Sequence, residues 1–155
     1  SEDIDEAMQR LNRLNESQDG FDVARIKKEL QTCMQNYFGV FRRGEFMEKG
    51  VKELEEIKFK VDNLHLKDKS VSFNTSRVEA LELQNLFEVA QATAISALKR
   101  TESRGAHARD DFPDRDDENW LCHSLYDPTK KDISKRKVNY EPKQVKAFPP
   151  KMRSY

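Results

Sequence analysis

Glycine and cysteine are scarce in this sequence, and proline is missing from its first two thirds. The five glycines stand at 20, 39, 44, 50 and 105, so neither a G-x-G nor a P-loop spacing occurs. A chain without a glycine-rich strand-to-helix turn cannot cradle a pyrophosphate in the Rossmann manner, and no dinucleotide is expected to bind here. Two cysteines, Cys33 and Cys122, make no disulfide framework and suit a reducing compartment. No apolar run approaches the roughly 20 residues that span a bilayer, so no direct membrane insertion is expected. No basic-then-apolar leader is visible, and no secretory signal is expected. Charge of one sign is missing too: 28 Lys+Arg balance 28 Asp+Glu. That neutrality removes any general pull toward nucleic acid.

What is present is polar and strongly patterned. The chain has 155 residues, of which 36% are charged, and its mean hydropathy is -0.92. Clustered apolar residues and zero net charge place it with folded chains rather than disordered ones, and the length suits one structural domain. All five prolines, at 113, 128, 142, 149 and 150, fall in the last third. Because interior proline breaks helices, residues 1–102 are expected to form a helical bundle. Residues 103–155 are expected to pack on it as a loop, a short β-hairpin and an extended tail. The fold class is mainly α, a three-helix-type bundle with three long helices and a short one.

The short helix covers 4–14, with Ile4, Met8, Leu11 and Leu14 on one face. Gly20 ends the link and Asp22 caps a second helix, whose stripe runs Val23, Ile26, Leu30, Cys33, Tyr37, Phe38 and Phe41. Gly44 breaks the chain before a third helix through Met47, Val51, Leu54, Ile57, Val61 and Leu64. Asn74, Thr75 or Ser76 then caps a fourth helix reaching about Arg100. Between Leu83 and Leu98 only Glu88 is charged, and a helix apolar nearly all round is a central one.

The second part offers several apparent constellations. Residues 109–118 hold six acids, yet lack the glycine and the ligand alternation of a calcium loop; a solvated or arginine-paired loop is the better reading. Cys33, Cys122, His65, His107 and His123 have no C-x-x-C pairing, and adjacent strand residues such as Cys122 and His123 point to opposite faces. No metal site is expected. The basic segment 130–137 carries no interleaved aromatics on which bases could stack, so no nucleic acid partner is expected. Residues 120–126 alternate as a strand would, with 133–140 as partner across a turn at 127–132. The tail from Lys143 should lie extended on the body.

Residues 102–117 concentrate arginine, histidine and carboxylates directly after the central helix, where Gly105 can supply the left-handed turn that ends it. Cations are favoured at the carbonyl end of a helix, but by only about 0.3–1 kcal/mol at an exposed position. That hardly requires Arg104, His107 and Arg109 together.

The run Glu102-Ser103-Arg104-Gly105-Ala106-His107, followed by Arg109, Asp111, Pro113, Arg115-Asp116-Asp117 and Trp120, resembles the C-terminal domain of the succinate dehydrogenase and fumarate reductase flavoprotein family. Phe73-Asn74-Thr75, Glu82-Leu83-Gln84-Asn85-Leu86 and Asn119-Trp120-Leu121-Cys122-His123-Ser124-Leu125 resemble it as well. The ending Pro149-Pro150-Lys151-Met152-Arg153-Ser154-Tyr155 is similar to the bacterial succinate dehydrogenase branch. The resemblance implies a parent oxidoreductase that converts succinate to fumarate with FAD in the tricarboxylic acid cycle. It also implies that electrons leave through an iron–sulfur subunit to quinone, at the cytoplasmic face of the bacterial inner membrane. No position here matches the family's flavin-attaching or substrate-handling motifs. The resemblance therefore implies no catalytic, cofactor-binding or metal residue in this chain, and a helical domain that packs against the FAD-binding and capping domains of the same subunit. Arg104, His107 and Arg109 are expected to help form that docking surface. Beginning at Ser1 with a helix at once is what an excised, soluble fragment would show. Two other readings stand beside it: a free-standing helical interaction module, and the same domain of a fumarate reductase or L-aspartate oxidase.

Overall fold

The computed structural model describes residues 2–151, so Ser1 and the last four residues of the expected tail lie outside it. Helix α1 (Glu2–Glu16) is followed by α2 (Val23–Phe38), α3 (Gly44–Asp62) and α4 (Thr75–Lys99). The last three pack on one another as the expected bundle. Their shared core includes Ile26, Leu30, Met47, Leu54, Ile57, Leu83 and Phe87, none more than 2% exposed. The spacing of three and four along each helix aligns these side chains on one face, and burying each contributes about 1.5–3 kcal/mol. Cys33 belongs to this core, its thiol 3.7 Å from the Gly50 carbonyl. A Cβ at Gly50 would meet the Phe38 ring at 2.5 Å and the Tyr37 Cβ at 2.6 Å, so glycine lets α2 and α3 close on each other.

Asp22 caps α2 by accepting from the Arg25 N–H at 3.0 Å, and Asn74 caps α4 by accepting from the Arg77 N–H at 2.9 Å. Both positions follow the sequence reading. Four details differ. Helix α2 stops at Phe38, and Phe41 leaves the apolar stripe for strand β2 (Phe41–Arg42), where it is 78% exposed. Gly44 opens α3 rather than breaking the chain. Leu64 lies past the end of α3 in β3 (Leu64–His65), buried all the same. Helix α1 buries only Leu14 and leaves Ile4 and Met8 exposed. Polar bonds from Arg10 to the side chains of Gln84 and Asn85 and to the Leu81 carbonyl tie it to α4.

Short parallel pairs join the helix ends: β1 (Phe21–Asp22) with β3, and β2 with β4 (Ala108–Arg109). Helix α4 is the most enclosed, with Ala80, Leu83, Phe87, Ala90 and Ala94 buried, although Leu86 and Val89 face solvent. Trp120 lies in a single helical turn, α5 (Asp117–Trp120), and not in the strand expected from 120. The cause is Asp116, which caps that turn by accepting from the Asn119 N–H at 2.9 Å. The hairpin therefore starts two residues later, β5 (Cys122–Asp127) pairing antiparallel with β6 (Asp132–Lys137). Residues 138–151 carry neither helix nor strand. No helix among the described residues is long and apolar enough to cross a membrane.

Candidate functional site

The carbonyl end of α4 leaves acceptors that the helix itself cannot satisfy. Helix α4 ends at Lys99 with Arg100 in extended conformation, so Gly105 is not its cap. Gly105 (φ 58°) instead opens a two-residue turn in which Arg104 and His107 exchange backbone hydrogen bonds of 2.9 and 3.0 Å. A positive φ at the first central position is what such a turn requires. This turn brings the three expected residues together at the helix end.

Arg109 plugs that end. One of its terminal nitrogens donates to the carbonyls of Ala97, Leu98 and Arg100 at 3.2, 3.0 and 3.2 Å. The rest of its guanidinium grips the Asp111 carboxylate through two 2.7 Å bonds, and its side chain is only 2% exposed. Asp111 in turn accepts from the Gly44 N–H at 2.9 Å, the first residue of α3. The ion pair thus runs from the negative end of α4 to the positive end of α3, each charge matched to its helix dipole. The Arg109 bonds, outweighing burial and joined by the Gly44 N–H, hold the Asp111 carboxyl far below the usual carboxylate range.

A second knot centres on Glu102, whose side chain is wholly buried. Arg104 binds it bidentately at 2.8 and 3.0 Å, Arg100 shares the Oε1 that the Arg104 Nε binds, and the Asp116 N–H donates to Oε2 at 2.8 Å. Burial pushes the Glu102 carboxyl up, but these donors together bring it below its ordinary value. Arg104 also pairs with Asp117 at 2.6 Å, and its own pKa is raised, by the Glu102 bonds first. Arg100 continues to the carbonyls of Trp120 and Cys122 at 2.9 and 2.7 Å, fastening the hairpin to the bundle. Within the acidic run Asp110, Asp111 and Asp117 pair with arginines, while the Asp116 carboxylate serves as a helix cap.

His107 bridges the two knots. Its Nδ1 lies 2.8 Å from the Arg42 guanidinium and its Nε2 lies 3.1 Å from the Arg100 carbonyl. Only the neutral Nε2–H form satisfies both partners. Burial lowers its pKa, and the charges of Arg42, Arg109 and Arg100 add to that against the Arg100 carbonyl bond. A histidine depressed on folding contributes stability that is present above its unfolded value of 6.5 and lost as pH falls through the lower folded value. The melting temperature should therefore drop between about pH 7 and about pH 5, before the carboxylates titrate. His107→Gln, which can keep both hydrogen bonds, should flatten that drop. Equal pH slopes for the two proteins would refute the assignment.

Arg104, His107 and the little that shows of Arg109 line one wall of a surface cleft of about 970 Å³, with Phe41, Arg115, Tyr140 and Pro150 around it. Of the side chains that build the site, the sequence reading named Glu102 and Asp111 only as members of the motif run, and it gave Arg100 and Arg42 no part in the site. Glu102 between two arginines was the available signal. Cys33 has a thiol pushed up to about 12 by burial, which makes it inert rather than nucleophilic. Among the described residues, no three His, Cys, Asp or Glu side chains gather as metal ligands. The N-termini of α2, α3 and α4 are each closed by a side-chain oxygen, of Asp22, Asp111 and Asn74. None of these three is left to hold a pyrophosphate.

The family model "Fumarate reductase flavoprotein C-term" matches residues 27–155. A succinate dehydrogenase flavoprotein subunit of Coxiella burnetii is 44% identical over 152 residues, covering 98% of this chain and 26% of its own length. The mitochondrial succinate dehydrogenase flavoprotein subunit of Oryza sativa is 38% identical over 149 residues, covering 94% of this chain and 24% of its own. A mutant of E. coli quinol fumarate reductase superposes with a TM-score of 0.82 at 30% identity, covering 97% of this chain and 26% of that one. The chain spans about a quarter of the length of the curated relatives it matches. By the match over most of its length, the chain belongs to the fumarate reductase flavoprotein C-terminal family.

Proposed function

We propose that this chain is the C-terminal helical domain of a succinate dehydrogenase flavoprotein subunit, and that it serves there as a structural and docking element. The parent would oxidise succinate to fumarate on FAD held by its other domains. It would pass electrons to an iron–sulfur subunit and on to quinone, at the cytoplasmic face of a bacterial inner membrane. The observation that carries the reading is the 44% identity to the Coxiella burnetii subunit across 98% of this chain. The geometry supports the docking part. The arginine–carboxylate knots satisfy themselves within the chain and stiffen the 102–117 loop. They hold Arg104 and His107 on the wall of a cleft that also shows Phe41 and Tyr140 to solvent. Arg109, buried beneath, positions that wall. Rigid arginines beside exposed aromatics make a surface suited to another domain's carbonyls and carboxylates.

The 155-residue chain purified alone should be colourless and inactive with succinate. The subunit that carries it, purified with its iron–sulfur partner, should reduce a dye when succinate is added. Flavin absorbance in the isolated chain, or a full-length subunit indifferent to succinate, would overturn the proposal. A fumarate reductase parent is the second reading, favoured by the superposition on the E. coli enzyme. The ratio of succinate oxidation to fumarate reduction in the same complex separates the two.

A further inference from the structure

The segment between β3 and α4 carries two apolar side chains with nothing over them. Phe73 is fully exposed, at 103% of its reference area, and Val71 is 90% exposed. Phe73 also has φ at 52°. In that left-handed region the Cβ of an L-residue crowds the following carbonyl, and a bulky aromatic is an outlier there. A ring without contacts gives the chain nothing in return for this conformation.

The loop around it is pinned. The Lys69 ammonium donates to the carbonyls of Leu14 and Ser17 at 2.9 and 2.8 Å and to the Ser17 hydroxyl at 2.8 Å. The buried Asn74 amide donates to the carbonyls of Asp68 and Ser70 at 2.9 and 3.0 Å, while its oxygen caps α4. The Ser70 N–H is held by the Asp68 carboxylate at 2.8 Å. Both ends of the loop are thus fixed to α1 and α4, and the two apolar side chains stand outward on a stiff frame. Pre-ordered aromatic projections of this kind are how interfaces concentrate binding energy in a few residues.

We propose that Phe73, flanked by Val71, is an anchor that inserts into an apolar socket on the flavin-binding part of the same polypeptide. This rests on reading the chain as the last quarter of a longer flavoprotein subunit. Two features select that occupant over a second copy of the chain. The curated relatives extend over about four times this length, so most of such a subunit lies outside the 155 residues. A stable dimer buries about 800 Å² on each partner, far beyond what two side chains supply. A segment already tethered to its socket meets it at high effective concentration and needs no such area. The anchor is separate from the Arg104–His107 wall, which lies at the opposite end of α4.

The test compares one substitution in two settings. Phe73→Asn keeps a residue that tolerates the left-handed conformation and removes the ring. In the isolated 155-residue chain its melting temperature should stay level or rise by up to ~3 °C, whereas in the full-length subunit it should fall by ~3 °C or more. Val71→Ser, which alters no strained backbone, should leave the isolated chain unchanged and lower the full-length subunit. The same sign for Phe73→Asn in both settings would overturn the proposal. So would a dimer of the isolated chain that the substitution dissolves, since that assigns the loop to a second copy. A full-length subunit that ignores succinate yet shows the sign reversal would sink the reading of its activity and leave the anchor standing.

Discussion

Replacing Glu102 by Gln should lower the melting temperature of the isolated chain by about 6–12 °C, through a loss of about 3 kcal/mol or more. The substitution changes one atom's identity and almost no volume, so packing is not the cause. Glu102 is the sole carboxylate between Arg100 and Arg104, in a position with no solvent exposure. A neutral amide removes the only carboxylate shared by the two guanidinium groups and leaves Arg100 without a charged partner there. It also turns an NH2 group toward donors that need an acceptor. Arg104 retains Asp117, and Arg100 retains the carbonyls of Trp120 and Cys122. The hairpin should therefore stay attached while the 102–117 loop loosens. Asp117→Asn supplies the control, because that carboxylate is 41% exposed and pairs of its kind contribute only about 0–1 kcal/mol. Thermal melts of the two variants decide the matter, and equal small shifts would show that the buried carboxylate does not organise the loop.

Helices and caps were readable because they rest on local chemistry. Asp22 and Asn74 sit before apolar stripes of helical period, and the structure puts both at helix starts. The same capping rule, applied to Asp116 before Asp117 and Glu118, would have found α5 and taken Trp120 out of the strand. Other features had no local signal. The pairs of Phe21 with Leu64 and Phe41 with Ala108 are two residues long and join distant segments; two residues carry no period. The amphipathic face of α1 promised more burial than occurs: Ile4 and Met8 stay more than half exposed.

The site was half legible. Arg104, His107 and Arg109 stood out by composition, and the fold brings all three to one helix end. Their division of labour did not stand out. Which of six nearby acids and several arginines becomes buried depends on how α3 and α4 are placed. Only that placement reveals Arg109 as an interior strut and Arg104 and His107 as part of a wall. Function, in turn, came from the resemblance and not from chemistry on display, since the Glu102 and Asp111 carboxylates are taken up by arginines and N–H groups of the chain itself.

Replacing Arg109 by Met should destabilise the chain by about 3 kcal/mol, because a buried guanidinium loses its bonds to the helix-end carbonyls together with its pair to Asp111, a carboxylate that is itself 34% exposed. Methionine fills the stem's volume, so the loss is electrostatic. The carbonyls of Ala97 and Leu98 lose the Arg109 donor, that of Arg100 keeps only His107, and Asp111 is left without the charge that holds its carboxyl down. Asp111 also holds the first N–H of α3, so the damage should travel. Hydrogen exchange at Gly44 should accelerate along with exchange at the end of α4, while the middle of α2 keeps its protection. Arg109→Lys separates charge from shape. An ammonium can reach either the carbonyls or the carboxylate, but lacks the planar fork that serves both at once, so roughly half the stability should return. In the Arg109→Met, Asp111→Asn double variant the two losses should fall short of additive by about 1–3 kcal/mol, the mark of directly coupled residues. Additive losses, with exchange at Gly44 unchanged, would mean that the two helix ends are held independently and that the ion pair does not join them.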